Sequence, residues 1–239
     1  MTELLFRDDP YARTCTAEVL AVNDRGGIIV DRTVFYATSG GQPGDCGTLL
    51  FSSNQVAIAT TVYGETKAQI VHVAAEGQSL PSPGAKVELQ LDWNRRHAHM
   101  RVHTALHLLC ALVPFPVTGG QIAADSGRLD FDIPDASAVD RAKLIEDINR
   151  LIREDHPVFA SFITDEELTE KPELVRTMAV KPPMGSGRVR LVGIGKNGEI
   201  DLQPCGGTHV RSTSEIGSVS VGKLESKGKQ NRRIRVNLV

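Results

Sequence analysis

No run of apolar residues in this chain approaches the roughly 18 needed to cross a bilayer as a helix. The opening MTELLFRDDP has no basic flank leading into an apolar segment, as a secretory signal would. Both absences point to a soluble, cytoplasmic protein. Cysteine is sparse, and Cys15, Cys46, Cys110 and Cys205 are scattered without a paired framework, which suits reduced thiols better than disulfides. A surplus of positive charge is also missing: the net charge of -2 argues against a protein that coats nucleic acid nonspecifically. There is no internal repeat and no low-complexity tract.

What is present is an ordinary globular composition, 41% hydrophobic and 23% charged over 239 residues, enough for one large core or two modest ones. The charge is unevenly spread. Residues 1–92 hold 6 Lys and Arg against 11 Asp and Glu, whereas the remainder holds 21 against 18, so the C-terminal part is the better candidate for meeting a polyanion. The texture changes at the same place. Up to Asp92, short β-like runs alternate with turn clusters: CTAEVLAVN, GGIIVD, TVFYA, QVAIATTVY, AQIVHVA and KVELQLD. Regular short strands without a helix predict a small antiparallel barrel or sandwich over 1–92.

From 93 to 239 the pattern is α+β. WNRRHAHMRVHTALHLLCALV places Met100, His103 to Ala105, His107, Leu108 and Ala111 at helical spacing, predicting a helix that ends near Pro114. DASAVDRAKLIEDINRLIREDHP predicts a second helix, with Ser137 as its cap, an apolar face of Leu144, Ile148, Leu151 and Ile152, and a stop at Pro157. TDEELTEKPELVRTM predicts a short, proline-interrupted helical piece. RVRLVGIG, GEIDLQP, SVSVGKLESK and NRRIRVNLV return to strands, the last two as a hairpin.

The chemistry-bearing residues lie in two separated motifs. HTALH puts His103 and His107 four apart on the predicted helix, so both imidazoles share a face. It is not a zinc-protease motif, because Thr104 and Ala105 stand where that motif needs its glutamate. QPCGGTHV adds Cys205 and His209 at a strand end, with Gly206 and Gly207 permitting a tight turn. Four such groups make a zinc site; the rival reading is a buried cysteine with two turn glycines and no ion. No serine nucleophile with a histidine base is apparent.

These motifs resemble a known family. HTALHLL and CGGTHV look like the two halves of the editing domain shared by alanyl- and threonyl-tRNA synthetases. DRTVFYATSGGQPGDCGTL resembles the glycine-rich segment of the β-barrel that precedes that domain in alanyl-tRNA synthetase, and NRRIRV resembles the editing domain's end. The chain has no room for an aminoacylation core, so it resembles the freestanding AlaX-type editing proteins in their medium, barrel-bearing form. The resemblance implies a β-barrel followed by an α+β editing domain of the threonyl/alanyl-tRNA synthetase type. It implies hydrolysis, in trans, of tRNA(Ala) wrongly charged with serine or glycine, with no obligate protein partner.

On that reading His103, His107, Cys205 and His209 bind a catalytic zinc, or the histidines serve as general bases without metal. Thr118 and Gln121, in the stretch resembling the substrate-pocket strand, are polar candidates for the serine hydroxyl, or ordinary turn and surface residues. Asp125 and Asp130 read as solvated. Gly40, Gly41 and Gln42, with Gly44 and Asp45, form either a loop approaching the substrate or a bulged turn. Arg95, Arg96, Arg101, Lys223, Lys227, Lys229, Arg232, Arg233 and Arg235 are either phosphate contacts or a solvated edge. Arg233 stands out as the tRNA-binding candidate because it lies in the family-like RRI stretch. The alternatives in other classes are a noncatalytic tRNA- or zinc-binding module, or a deacylase for another misacylated tRNA.

Overall fold

Val56 and Ile58, and Val87, Leu89 and Leu91, are buried while their sequence neighbours are not, so each of these strands turns one face inward. The structure, a computed structural model, describes residues 2–177, 187–228 and 230–239. Eight strands come first: Glu3–Leu4 (β1), Thr14–Val22 (β2), Gly27–Val30 (β3), Arg32–Thr33 (β4), Gly47–Phe51 (β5), Asn54–Tyr63 (β6), Ile70–Ala74 (β7) and Lys86–Leu91 (β8). Six of them close an antiparallel barrel in the order β2-β3-β7-β6-β5-β8, with β8 pairing back onto β2. Closure leaves no barrel edge to protect.

Two details of the barrel differ from the sequence expectation. TVFYA is not a strand beyond Thr33. Val34 to Ala37 are buried, yet side chains satisfy part of their backbone: Phe35 N donates to Thr33 Oγ1 at 3.0 Å and Tyr36 N to Asp45 Oδ2 at 2.6 Å. The strand that joins β6 to β8 is instead GTLLF, β5.

The chain divides into two compact units, Met1–Ala98 and His99–Val239, six residues later than the expected boundary after Asp92. The reason is Arg96. Its guanidinium is fully buried in the first unit, where Nε donates to both carboxylate oxygens of Asp45 at 3.0 and 2.9 Å, Nη1 to Pro10 O, and Nη2 to Val34 O and Asp45. Trp93 likewise carries the guanidinium of Arg13 over its ring at 4.3 Å and stacks on His97. Arg96 is therefore no phosphate contact, which corrects the sequence reading.

The helix Trp93–Leu112 (α1) continues into the second unit, where Val102 to Cys110 are buried on every side. It is followed by Val117–Ile122 (β9), Ser126–Asp132 (β10), Arg141–Arg153 (α2), Val158–Ile163 (β11), Asp165–Glu170 (α3), Val189–Ile194 (β12), Asp201–Pro204 (β13), Val219–Val221 (β14), Glu225–Ser226 (β15) and Asn231–Leu238 (β16). One sheet runs β14-β16-β10-β9 with β15 also on β16; the other runs β11-β12-β13. Helix α1 approaches β10 closely at Gly127, where a Cβ would stand 2.7 Å from Val102 Cγ1.

Helix α2 buries Leu144, Ile148, Leu151 and Ile152, the face its periodicity predicts. Its cap is Asp140, whose carboxylate accepts from Ala142 N and Lys143 N, not Ser137, which lies in a separate single turn capped by Asp135. The proline-interrupted piece is α3 with a further turn at Pro172–Leu174, and its expected end at Met178 lies outside the described residues. Among the described residues no helix is long and apolar enough to cross a membrane.

Candidate metal centre

Helical spacing on α1 sets His103 and His107 one turn apart, and the turn after β13 brings in Cys205 and His209. The four side chains converge: one nitrogen from each histidine and Cys205 Sγ all lie within 4.8 Å of one another. Sγ is 3.6 Å from His103 Nε2 and 3.3 Å from His209 Nε2. A tetrahedral zinc, about 2.0–2.3 Å from its donors, holds neighbouring donors roughly 3.3–3.8 Å apart. Three imidazoles and a thiolate are also a donor set of the right softness, so the residues present fit that ion. The three histidines are buried, and Cys205 is only partly so.

The surrounding groups fix how the donors point. His107 Nδ1 lies 2.8 Å from Asp201 Oδ2, and Gln203 Nε2 donates to the same oxygen at 2.8 Å. Thr104 Oγ1 donates to Met100 O at 2.9 Å and lies 3.1 Å from His209 Nδ1. Arg190 Nη1 donates to Cys205 O at 2.8 Å and Gly207 O at 3.0 Å, clasping the turn, and Gly207 N donates to Cys205 Sγ. Neither Gly206 nor Gly207 uses left-handed backbone, and beside Gly206 there is open space where a side chain would stand. The backbone here does not require glycine, and the missing side chain leaves that space open.

Electrostatically, burial resists charging any of these groups, but they support each other. Burial would raise the Cys205 thiol, yet His103 and His209 hold it well below its ordinary value. Burial disfavours protonating His107, but the Asp201 hydrogen bond and the Cys205 thiolate carry it up to about 10. For His209, burial and the His103 charge both act downward. A thiolate among nitrogens competing for protons is a set in which a cation can take the protons' place.

The other sequence candidates lie elsewhere. Thr118 and Gln121 are on β9: Thr118 Oγ1 donates to Asn231 Oδ1 at 3.3 Å, and Gln121 is exposed and accepts from Arg128. Arg233 makes a two-pronged ion pair with Asp130, Nε to Oδ1 at 2.7 Å and Nη2 to Oδ2 at 2.9 Å. Arg128 Nη1 joins at 2.6 Å, so Asp130 is buried and paired, not solvated.

Gly40 and Gly41, with φ of 55° and 82°, form a tight turn closed by hydrogen bonds between Ser39 and Gln42, and Gln42 is buried. This turn lies in the barrel unit, whereas the metal-ligand cluster lies in the second. Of the other basic residues, Arg101 donates to Ile216 O, Arg235 and Lys227 pair with Glu225, Arg232 holds Gly228 O, Arg95 and Lys223 are exposed, and Lys229 lies outside the described residues.

Reading by motif missed Asp201, Gln203, Thr104 and Arg190. A signal for the first two was present: on a strand, Asp201, Gln203 and Cys205 share a face by their period of two.

Two family models match this chain. The threonyl and alanyl tRNA synthetase second additional domain covers residues 189–235, and a class II (A) tRNA synthetase model covers residues 10–95. The alanyl-tRNA editing protein AlaX-M of Methanosarcina acetivorans is 35% identical across the whole of both chains. The chain belongs to the AlaX family. A longer AlaX relative, AlaX-L of Pyrococcus horikoshii, is 34% identical over 98% of this chain and 57% of its own length. The alanine–tRNA ligase of Pyrobaculum arsenaticum is 34% identical over 94% of this chain but only 25% of the ligase. The fold is thus a closed barrel joined to the editing-domain type, and within the AlaX chain the first of the two models takes in Asp201, Cys205, His209 and Arg233.

Proposed function

We propose that this chain hydrolyses, in trans, the aminoacyl ester of tRNA(Ala) mischarged with serine or glycine, and that His103, His107, Cys205 and His209 hold a zinc ion for that reaction. The observation that carries the reading is the convergence of these four donors within 4.8 Å in a member of the AlaX family. The need is physical. A pocket shaped for alanine cannot exclude glycine and rejects serine weakly, so a second, hydrolytic site must select in the opposite sense.

Bound zinc would supply a Lewis acid for an ester that is already labile. The chain's own residues do the rest. The partly exposed Cys205 and the open space beside Gly206 give the amino acid a way to the donors, and the buried histidines keep bulk water from their far sides. Positioning of a reactive ester then supplies much of the acceleration. Thr118 and Gln121 remain the candidates for the serine hydroxyl, and the Gly40-Gly41-Gln42 turn for the substrate. Arg233 remains the candidate for tRNA, since its Nη1 carries no protein partner among the described residues while its other nitrogens grip Asp130.

The test is release of amino acid from Ser-tRNA(Ala), Gly-tRNA(Ala) and Ala-tRNA(Ala), with zinc assayed on the same samples before and after chelation. Loss of serine or glycine with alanine spared, abolished by chelation and restored by zinc, is the expected result, and Cys205→Ala should lose both metal and activity. Activity that survives in metal-free protein would remove zinc from the reading and leave the hydrolysis, whereas tight tRNA binding with no hydrolysis would make the chain a binding module.

A further inference from the structure

Asp201 is 2% exposed and lies at the start of β13, four residues before Cys205. A buried carboxylate is costly unless its charge is compensated by hydrogen bonds or a nearby cation. This one is only half satisfied. Oδ2 takes His107 Nδ1 and Gln203 Nε2, while Oδ1 has no hydrogen-bond partner among the described residues. Among the described residues no lysine or arginine forms an ion pair with it. A residue chosen for stability alone would not leave one carboxylate oxygen unpaired in the interior, so the carboxylate is kept for what Oδ2 does.

The hydrogen-bond logic says what that is. A carboxylate accepts only, so the hydrogen lies on His107 Nδ1, and the lone pair of the neutral ring is left on Nε2. Gln203 Nε2 also stands 3.3 Å from His107 Nδ1, but an amide nitrogen only donates and so cannot take that hydrogen; the shorter 2.8 Å contacts of Asp201 Oδ2 with both His107 Nδ1 and Gln203 Nε2 place the carboxylate as the acceptor from each. The same logic holds independently at His209. Thr104 Oγ1 gives its single hydrogen to Met100 O, so towards His209 Nδ1 it accepts, and His209 also presents Nε2, the atom 3.3 Å from Cys205 Sγ.

We infer that Asp201 is a positioning residue that fixes His107 in the Nδ1–H tautomer, with Thr104 doing the same for His209, so that both rings offer Nε2 to one ion without rearranging. The inference deepens the zinc reading above and rests on it. Neither residue touches substrate. Groups of this kind tune a metal site through its ligands, and losing one typically costs about 10–100-fold in metal affinity.

The experiment measures zinc affinity by competition with a chromophoric chelator, at one pH, for wild type, Asp201→Asn and Asp201→Leu. The tautomer of His107 is read from imidazole nitrogen shifts of the metal-free proteins, titrated to alkaline pH until the ring is neutral, and their melting temperatures are recorded. Asp201→Leu should weaken zinc about 10–100-fold and lose the Nδ1–H signature. Asp201→Asn, which keeps an acceptor oxygen, should keep the signature and fall between the two in affinity. A merely structural role would lower the melting temperature and leave zinc affinity and tautomer alone.

Zinc affinity within twofold of wild type in Asp201→Leu overturns the inference, as does a wild-type His107 carrying its hydrogen on Nε2. If Asp201→Leu does not fold, unchanged affinity in Asp201→Asn overturns it instead. Wild-type protein that takes up no zinc at all would overturn the metal reading itself, and this inference with it.

Discussion

A guanidinium removed from water costs several kcal/mol unless nearly every donor finds an acceptor. Arg96 meets that condition through Asp45, Pro10 O and Val34 O, and the pair is an internal brace of the barrel unit. Replacing Arg96 with Met leaves the buried Asp45 carboxylate with the backbone amide of Tyr36 but without its cation, and should cost about 3–5 kcal/mol in urea unfolding. Exposure of a single arginine is what sequence cannot show: nothing in RRH distinguishes exposed Arg95 from buried Arg96. His72 is the second residue-scale case. It is fully buried, donates from Nδ1 to Ile28 O and accepts from Thr33 Oγ1, and burial pulls it down to about 4 from 6.5. Its contribution to stability is complete above pH 6.5, where both states are neutral. It is lost as pH falls towards 4, by about 1.4 kcal/mol per pH unit and about 3 kcal/mol in all. Unfolding measured across pH 4–7 should show that slope, and His72→Gln should flatten it.

At the scale of elements, α1 carries two of the four converging donors in its stretch Val102–Cys110, which is buried on every face, and it can be so deep there because β10 offers Gly127 beneath it. Gly127→Ala forces Val102 and Leu106 aside and should cost about 1–3 kcal/mol by overpacking, read from the midpoint of denaturation. Gly44→Ala is more severe, since its Cβ would collide with the backbone carbonyl of Thr61, which cannot swing away as a side chain can. The two long helices were legible from their 3.6-residue period, and most barrel strands from alternation. GTLLF and VFASFI were not, because short runs flanked by glycine or proline lack a distinctive period. The cap of α2 was misread for a related reason: Asp135, Ser137 and Asp140 are all good caps, and only the folded backbone selects Asp140. The convergence of His103, His107, Cys205 and His209 was legible because histidine and cysteine spacing carries its own chemistry. Its supporting shell was not, because Asp201 and Thr104 act through partners about a hundred residues away in sequence.

For the whole molecule, a net charge of -2 conceals a C-terminal part in positive balance, and that part holds the Arg128–Asp130–Arg233 network. If tRNA meets this part, binding should weaken with rising salt, and Arg233→Gln should lower the slope of log affinity against log salt by about 1 without changing zinc content. Unchanged affinity and slope would assign Arg233 to the sheet alone. His103 and Cys205 stand 102 positions apart, so an ion held by both is a removable cross-link that closes a long loop containing the β9–β10 hairpin, α2 and the β11–β12 pair. Removing such an ion would reopen that loop. Amide hydrogen exchange should then quicken across residues 103–209 while the barrel strands, which lie outside the loop, keep their rates, so that each molecule carries its own clock against which metal loss can be timed.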